Sequence, residues 1–344
     1  MLPDVMVPVQ EKTDVAAARR AALDLASFPE ELAGKLSILV TEAASNLIKH
    51  AGGGQIVVRR LGASPAAGVE IIAMDKGPGM SNPARCFEDG YSTAGSPGTG
   101  LGAVSRIASF YDFYSAEGKG TVLVARVGDS APKNGCGVEL GAVGVAYPGE
   151  EISGDSWGIA SRGSESVCRV IVADGLGHGV LAAEASDLAV STAMNSSGLS
   201  AESLIEKCHG RMRATRGAAV SVADADFAAE QLAFTGVGNV SGAIVNESGA
   251  RQQMISVNGT VGHELRRTQT FRYSLPPGST VVLHSDGLSA SWGLEKYPGL
   301  LQRHPTVIAA VLFRDFVRGR DDATVVVMRA ATATDGHDSR GPGA

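Results

Sequence analysis

The 344-residue chain is poor in aromatic residues, at 5%, and holds only four cysteines. No uncharged apolar run approaches the roughly 18 residues needed to span a membrane. Met1–Thr13 lacks a basic stretch followed by an apolar one, so no secretory signal is expected and the cytoplasm is the expected location. Cys86, Cys136, Cys168 and Cys208 are scattered without a C-x-x-C pair, which argues against a disulfide framework or a thiolate zinc site. Positive charge is also short: 30 Lys and Arg stand against 36 Asp and Glu, a net charge of −6. Neither half of the chain is basic, so nucleic acid is not an expected partner, and neither is a membrane. No P-loop is present. Any phosphate must therefore be held by metal ions or backbone N–H groups rather than by a lysine field.

Glycine is plentiful, at 44 residues, and hydrophobic residues make up 44%. Gly and Pro together stay below the roughly 25–30% of low-complexity chains, and the length is that of about two domains. The polar, turn-rich GDSAPKNGCG segment, Gly128–Gly137, marks the boundary. We expect a first domain over residues 1–128, a linker over 129–137, a second domain over 138–331 and a disordered tail over 332–344.

In the first domain Asp14 can cap a helix, and Leu36, Leu39, Ala43 and Leu47 recur at helical spacing within Leu32–Ala51. Gln55–Leu61, Val69–Met74, Asp112–Ser115 and Thr121–Val127 read as strands, and Leu101–Phe110 as a helix. The class is α+β. In the second domain nine apolar runs read as strands, with helices over Leu181–Ser196, Ala201–Ala214 and Pro305–Val317. That pattern predicts a β-sandwich flanked by helices.

Three motifs in the first domain can handle a nucleotide. Glu42 and Asn46 lie four apart on one helix face; a carboxylate can polarise a hydroxyl, and an amide oxygen can ligate Mg²⁺. Asp75-Lys76-Gly77-Pro78-Gly79 follows the strand Val69–Met74, bringing backbone and carboxylate to a flat ligand. Gly98-Thr99-Gly100-Leu101-Gly102 opens a helix and can present N–H groups to an anion. Singly, each is also explained by a solvated face, a turn or a helix cap. Their order within about 60 residues is harder to obtain that way.

This set, as LVTEAASNLIKHA, DKGPGM and GYSTAGSPGTGLG, resembles the GHKL ATPase superfamily, in particular the anti-sigma-factor Ser/Thr kinases of bacterial partner-switching systems. The resemblance implies a Bergerat-type α/β sandwich binding ATP with Mg²⁺. Glu42 would be the catalytic carboxylate, Asn46 the Mg²⁺ ligand and Asp75 the adenine contact. Gly77 and Gly79 would shape the pocket, Ser81–Pro97 would form the lid, and Gly98, Gly100 and Gly102 would close on the phosphates. Lys49 and His50, on the same helix, are expected to be structural.

In the second domain Asp155, Asp174, Asp286 and Asp321-Asp322 lie at or near the ends of apolar strands. Clustered carboxylates repel and call for hard cations with oxygen ligands. Two such ions could activate a water for attack on phosphorus, with no cysteine nucleophile needed. The ordered set SGDSW, VADGLGHG, HSDGL and RDDATVVV, with TGVGNV and NGTVGH, resembles the SpoIIE-type branch of the PPM (type 2C) Ser/Thr phosphatases. By that resemblance Asp174 would bridge two Mn²⁺ or Mg²⁺ ions. Asp155 and the Gly175 carbonyl would complete one site, and Asp286 with Asp321 the other. Asp322 is expected to support the site from outside, and His178 to be a turn residue or to do the same rather than to be a ligand or general acid. Arg162 is the one arginine considered for phosphate binding.

Two such domains imply a bifunctional regulator that phosphorylates and dephosphorylates a STAS-type anti-sigma antagonist or related phosphoprotein. An alternative leaves the first domain as a non-catalytic ATP-binding module that sequesters a sigma factor or other partner. A scaffold of two inactive enzyme folds is a third reading.

Overall fold

The computed structural model describes residues 4–25, 27–62, 68–81, 100–128, 136–162 and 164–331. They divide between two compact units.

The first unit runs β1 (Val5–Val9), α1 (Lys12–Asp24), α2 (Glu30–Asn46), β2 (Gly54–Arg60), β3 (Val69–Met74), α3 (Gly100–Ile107), β4 (Phe110–Ser115) and β5 (Thr121–Val127). The strands form one antiparallel sheet in the order β1-β2-β3-β5-β4. Its central strand β3, VEIIAM, is buried along its whole length. Alternate residues Ile56, Val58, Val69, Ile71, Leu123 and Ala125 share one core with Ala18 and Ala22 of α1, Leu36, Leu39 and Ala43 of α2, and Val104 of α3. The helices therefore cover one face of the sheet, as strand alternation dictates.

Three details differ from the sequence expectation. Asp14 lies inside α1 rather than at its cap, and its Oδ2 accepts from the Gln10 and Glu11 backbone N–H groups at 2.8 and 2.9 Å. Val5–Val9 is a strand, paired on β2. The long helix ends as a π-helical turn, Leu47–Ala51, closed by Gly52 at φ 71°.

The second unit runs β6 (Val138–Val145), β7 (Asp155–Arg162), β8 (Ser164–Gly175), α4 (Val180–Met194), α5 (Ala201–Arg211), β9 (Ala218–Asp226), β10 (Gln231–Val237), β11 (Ser241–Val245), β12 (Arg251–Gln253), β13 (Ser256–Val257), β14 (Phe271–Ser274), β15 (Thr280–His284), α6 (Pro305–Phe316) and β16 (Ala323–Ala330). One sheet has the order β13-β10-β9-β8-β7, with β14 added on β10; the other has the order β12-β11-β15-β16-β6. Val170, Val172, Ala223 and Phe234 of the first sheet pack with Ile244, Val281, Leu283 and Val326 of the second in a shared core. This is the expected sandwich.

On the outer face of the first sheet, Ile171, Val220 and Val222 meet Ala185, Ala189 and Ala193 of α4 and Leu204 and Cys208 of α5. The small residues of α4 let it lie close to β7 and β8. The described cysteines Cys136, Cys168 and Cys208 are buried. Burial pushes the Cys168 thiol well up and that of Cys208 up to about 12, so neither presents a thiolate. No helix among the described residues is long and apolar enough to cross a membrane.

Candidate functional sites

In the first unit Glu42 and Asn46 sit on the last two turns of α2, partly buried, and make no side-chain hydrogen bond among the described residues. Asp75 follows β3 directly. Its Oδ1 accepts from the Gly77 N–H at 2.8 Å and the Thr121 N–H at 3.1 Å, while its own N–H donates to the Thr121 carbonyl at 2.9 Å. The carboxylate is thus fixed by backbone from the neighbouring β5.

Gly79 has φ 71°, and a Cβ there would come within 2.0 Å of the Ala116 carbonyl oxygen, so only glycine suits this approach. A Cβ on Gly77 would meet Ala51 of the π turn at 2.6 Å, which brings the end of the long helix against the Asp75 loop. Gly100 and Gly102 lie in the first turn of α3. Gly98 and residues 82–97 of the proposed lid lie outside the described residues. Lys49 and His50 are exposed and make no side-chain bond among the described residues, so no structural role is visible for them.

In the second unit Asp155 opens β7 and Asp174 lies near the end of β8, where the two are register partners. Partners across antiparallel strands project to the same face. Asp286 follows β15, and Asp321-Asp322 lead into β16. Carboxylates from both sheets therefore gather at one end of the sandwich.

Their mutual influence is electrostatic. Burial pushes Asp174 up to about 9, with the charges of Asp155, Asp286 and Asp321 adding to the effect. Burial likewise pushes Asp155 up to about 7, opposed by a hydrogen bond from Ser285 and reinforced by Asp322 and Asp321. Asp322 is raised by burial, against backbone N–H groups of Tyr147 and Gly154 that favour its charged form.

Neighbouring groups hold the carboxylates in place. Ser285 Oγ donates to Asp155 Oδ2 at 2.6 Å and accepts from the Thr324 N–H at 3.0 Å. Asp322 Oδ1 accepts from the Tyr147 N–H at 2.7 Å. The Asn239 amide donates to Asp286. Sequence reasoning did not assign roles to Ser285 or Asn239, although both lie inside the quoted motifs HSDGL and TGVGNV. His284 donates from Nδ1 to the Ser285 carbonyl at 2.8 Å and accepts the Trp292 indole N–H on Nε2 at 3.0 Å. Burial pushes it down to about 4, so it is a neutral strut under Ser285.

Gly175 is required by a close approach: a Cβ there would lie 2.1 Å from the Ala182 carbonyl oxygen on α4. His178 pairs with Glu150 at 2.8 Å and stacks on Tyr147, on the exposed side of the loop. Arg162 ends β7, seven residues from Asp155 and so about 23 Å away at roughly 3.3 Å per residue. It pairs with Asp224 at 3.5 Å and cannot serve phosphate at Asp155, which corrects that expectation.

No three Asp, Glu, His or Cys side chains among the described residues converge as a finished metal-ligand set. The donors nonetheless fit a hard divalent cation. Asp174 Oδ2 and Asp322 Oδ2 are buried without a hydrogen-bond partner, all the candidate side-chain donors are oxygen, and the carboxylates repel one another.

Comparisons with known proteins identify relatives of both units. The histidine kinase-like ATPase domain matches residues 9–127, and the stage II sporulation protein E (SpoIIE) family matches residues 164–331. The serine/threonine-protein kinase RsbT of Bacillus subtilis is 32% identical over 122 residues, which are 35% of this chain and 92% of RsbT. The phosphoserine phosphatase RsbX of the same organism is 32% identical over 141 residues, 41% of this chain and 70% of RsbX. A solved structure described as "The bacterial stressosome: a modular system that has been adapted to control secondary messenger signaling" has a TM-score of 0.52 at 24% identity. It covers 56% of this chain and 99% of its own, and it supports the fold alone. The chain belongs to the histidine kinase-like ATPase family through its first unit and to the SpoIIE family of PPM-type Ser/Thr phosphatases through its second.

Proposed function

We propose that the chain is a bifunctional regulator acting on protein phosphorylation in the cytoplasm. Its first unit transfers phosphate from ATP to a Ser or Thr of a STAS-type partner, and its second removes phosphate from that partner or a related phosphoprotein. The observation that carries the phosphatase half is the gathering of Asp155, Asp174, Asp286 and Asp321 from separate strand ends at one end of the sandwich.

Asp174, Asp286 and Asp321 would hold one Mn²⁺ or Mg²⁺, and Asp174, Asp155 and the Gly175 carbonyl a second. Such ions supply an activated water and charge for the phosphate at neutral pH. The chain's own part is positional. Ser285 orients Asp155, Asn239 orients Asp286, and the tight Gly175–Ala182 contact sets the carbonyl that follows Asp174.

In the first unit Asp75 would receive the adenine amine, with Oδ1 already held by two backbone N–H groups. Asn46 would hold Mg²⁺ and Glu42 would take the proton from the acceptor hydroxyl. Glu42 has no structural hydrogen bond among the described residues that would otherwise account for it.

The test is a pair of assays on one STAS-domain protein and its phosphoserine form. Asn46→Ala should abolish transfer from labelled ATP, and Asp174→Ala should abolish Mn²⁺-dependent release of phosphate. ATP binding with no transfer by the wild-type chain would favour the sequestering module. Wild-type rates in both variants would refute the site assignments.

A further inference from the structure

Next to the Asp174–Gly175 strand end lies a cavity of about 590 Å³ whose walls include Leu176, Leu181, Glu184, Arg216 and His263. Leu176 and Leu181 are 52% and 51% exposed, and the neighbouring Val180 is 65% exposed, an apolar patch directly beside the carboxylate cluster. The patch is held by backbone: the Leu176 N–H donates to the Gly217 carbonyl at 3.0 Å, and His263 Nε2 donates to the Thr215 carbonyl at 3.1 Å. Both bonds also fix the chain on either side of Arg216.

Arg216 is the cationic side chain of the cavity wall. Arg211, Arg213 and Arg216 make no ion pair among the described residues, but Arg211 bonds to Thr192 and Arg213 lies against His209, and of the three only Arg216 lines the cavity. It is exposed, and its Nη1 lies 3.1 Å from where a Gly177 Cβ would stand, over the loop that continues from Asp174. Gly177 is three residues past Asp174, at most about 10 Å of chain, which an extended substrate covers in two or three residues.

We propose that this cavity receives the substrate chain beside the phosphoserine, with an apolar side chain against Leu176 and Leu181 and an acidic one, two or three residues from the phosphoserine, paired with Arg216. This rests on the phosphatase reading above. It makes Arg216 a determinant of which phosphosites are chosen, through charge complementarity with a bidentate guanidinium.

The experiment uses the full chain with Mn²⁺ and three labelled phosphoserine peptides. They are identical except for Glu, Ala or Lys at the second and third positions on both sides, with leucines outside. For the wild type, kcat/KM for the Glu peptide should exceed that for the Ala peptide at least fivefold, with the difference in KM. Arg216→Ala should bring the ratio to about one, and Arg216→Glu should turn the preference towards the Lys peptide. Equal turnover of the three peptides by the wild type would overturn the proposal. So would an Arg216→Ala variant that slows p-nitrophenyl phosphate and every peptide by one common factor, because the guanidinium would then serve the reacting phosphate. If no substrate is turned over, the phosphatase reading fails, and fluorescence anisotropy of the same peptides still decides the docking claim. Tighter binding of the Glu peptide that is lost in Arg216→Ala supports it, and equal binding overturns it.

Discussion

Asp155 and Asp174 face each other as register partners across β7 and β8, one carboxylate buried and the other half-buried on one face of a sheet, with Cβ atoms about 5 Å apart. Both are held above the ordinary carboxylate value of 3.8, to about 7 and about 9, so the folded chain binds their protons more tightly than the unfolded chain does. Their contribution to stability is complete below pH 3.8 and is lost as pH rises through those two values. Chelated protein should therefore show a melting temperature that falls between pH 5 and pH 9. Added Mn²⁺ should raise it strongly at pH 8 and little at pH 5. Calorimetry of Asp174→Asn, which removes one of the repelling charges, should show a flatter pH dependence and a weaker response to Mn²⁺. A chelated wild type whose melting temperature does not change with pH would contradict this.

Ser285→Ala removes the donor to Asp155 and the acceptor of the Thr324 N–H together. Leaving buried partners unsatisfied costs about 1–3 kcal/mol. Urea unfolding should show a loss of that size. Mn²⁺ titration should show weaker binding by an order of magnitude, because the Asp155 carboxylate is no longer oriented.

Gly175→Ala puts a methyl group 2.1 Å from the Ala182 carbonyl oxygen, so α4 must move away from β8. Overpacking of this kind costs roughly 1–3 kcal/mol. The chain should still fold, with phosphate release reduced at least a hundredfold. Near-normal release would show that the carbonyl after Asp174 is not part of the site.

In the first unit the same logic separates binding from transfer. Asp75→Ala removes the acceptor of the Gly77 and Thr121 N–H groups and should weaken binding of a fluorescent ATP analogue at least tenfold. Glu42→Ala leaves those contacts intact and should bind the analogue within a few-fold of wild type while losing transfer. Equal loss of binding in both variants would contradict the division of roles.

Strand ends and glycine turns made most of the site legible. Asp155, Asp174, Asp286 and Asp321 stand out because each follows or precedes a run of buried β-formers, and that pattern survives in one sequence. The groups that orient them do not stand out. Ser285 and Asn239 are ordinary turn residues until the sheets bring Ser285 to Asp155, 130 positions away, and Asn239 to Asp286, 47 positions away. Asp14 was expected at a helix cap because Asp is a good cap residue, but the same carboxylate reaches back from inside the helix to the Gln10 and Glu11 N–H groups that precede it. The strand Val5–Val9 carries Pro8, and β1 is an edge strand, where proline is tolerated. Arg162 looked available because it is near Asp155 in number, but a strand carries residues apart at full stretch.

The most direct measurement is Mn²⁺-dependent phosphate release from a phosphoserine STAS-domain protein by wild type, Asp174→Asn and Glu42→Ala, each with and without EDTA. Wild type and Glu42→Ala should release phosphate at comparable rates that EDTA abolishes, and Asp174→Asn should be at background. Release by Asp174→Asn at the wild-type rate, or release by wild type that EDTA leaves untouched, would contradict a metal-dependent phosphatase centre at the β7–β8 strand ends.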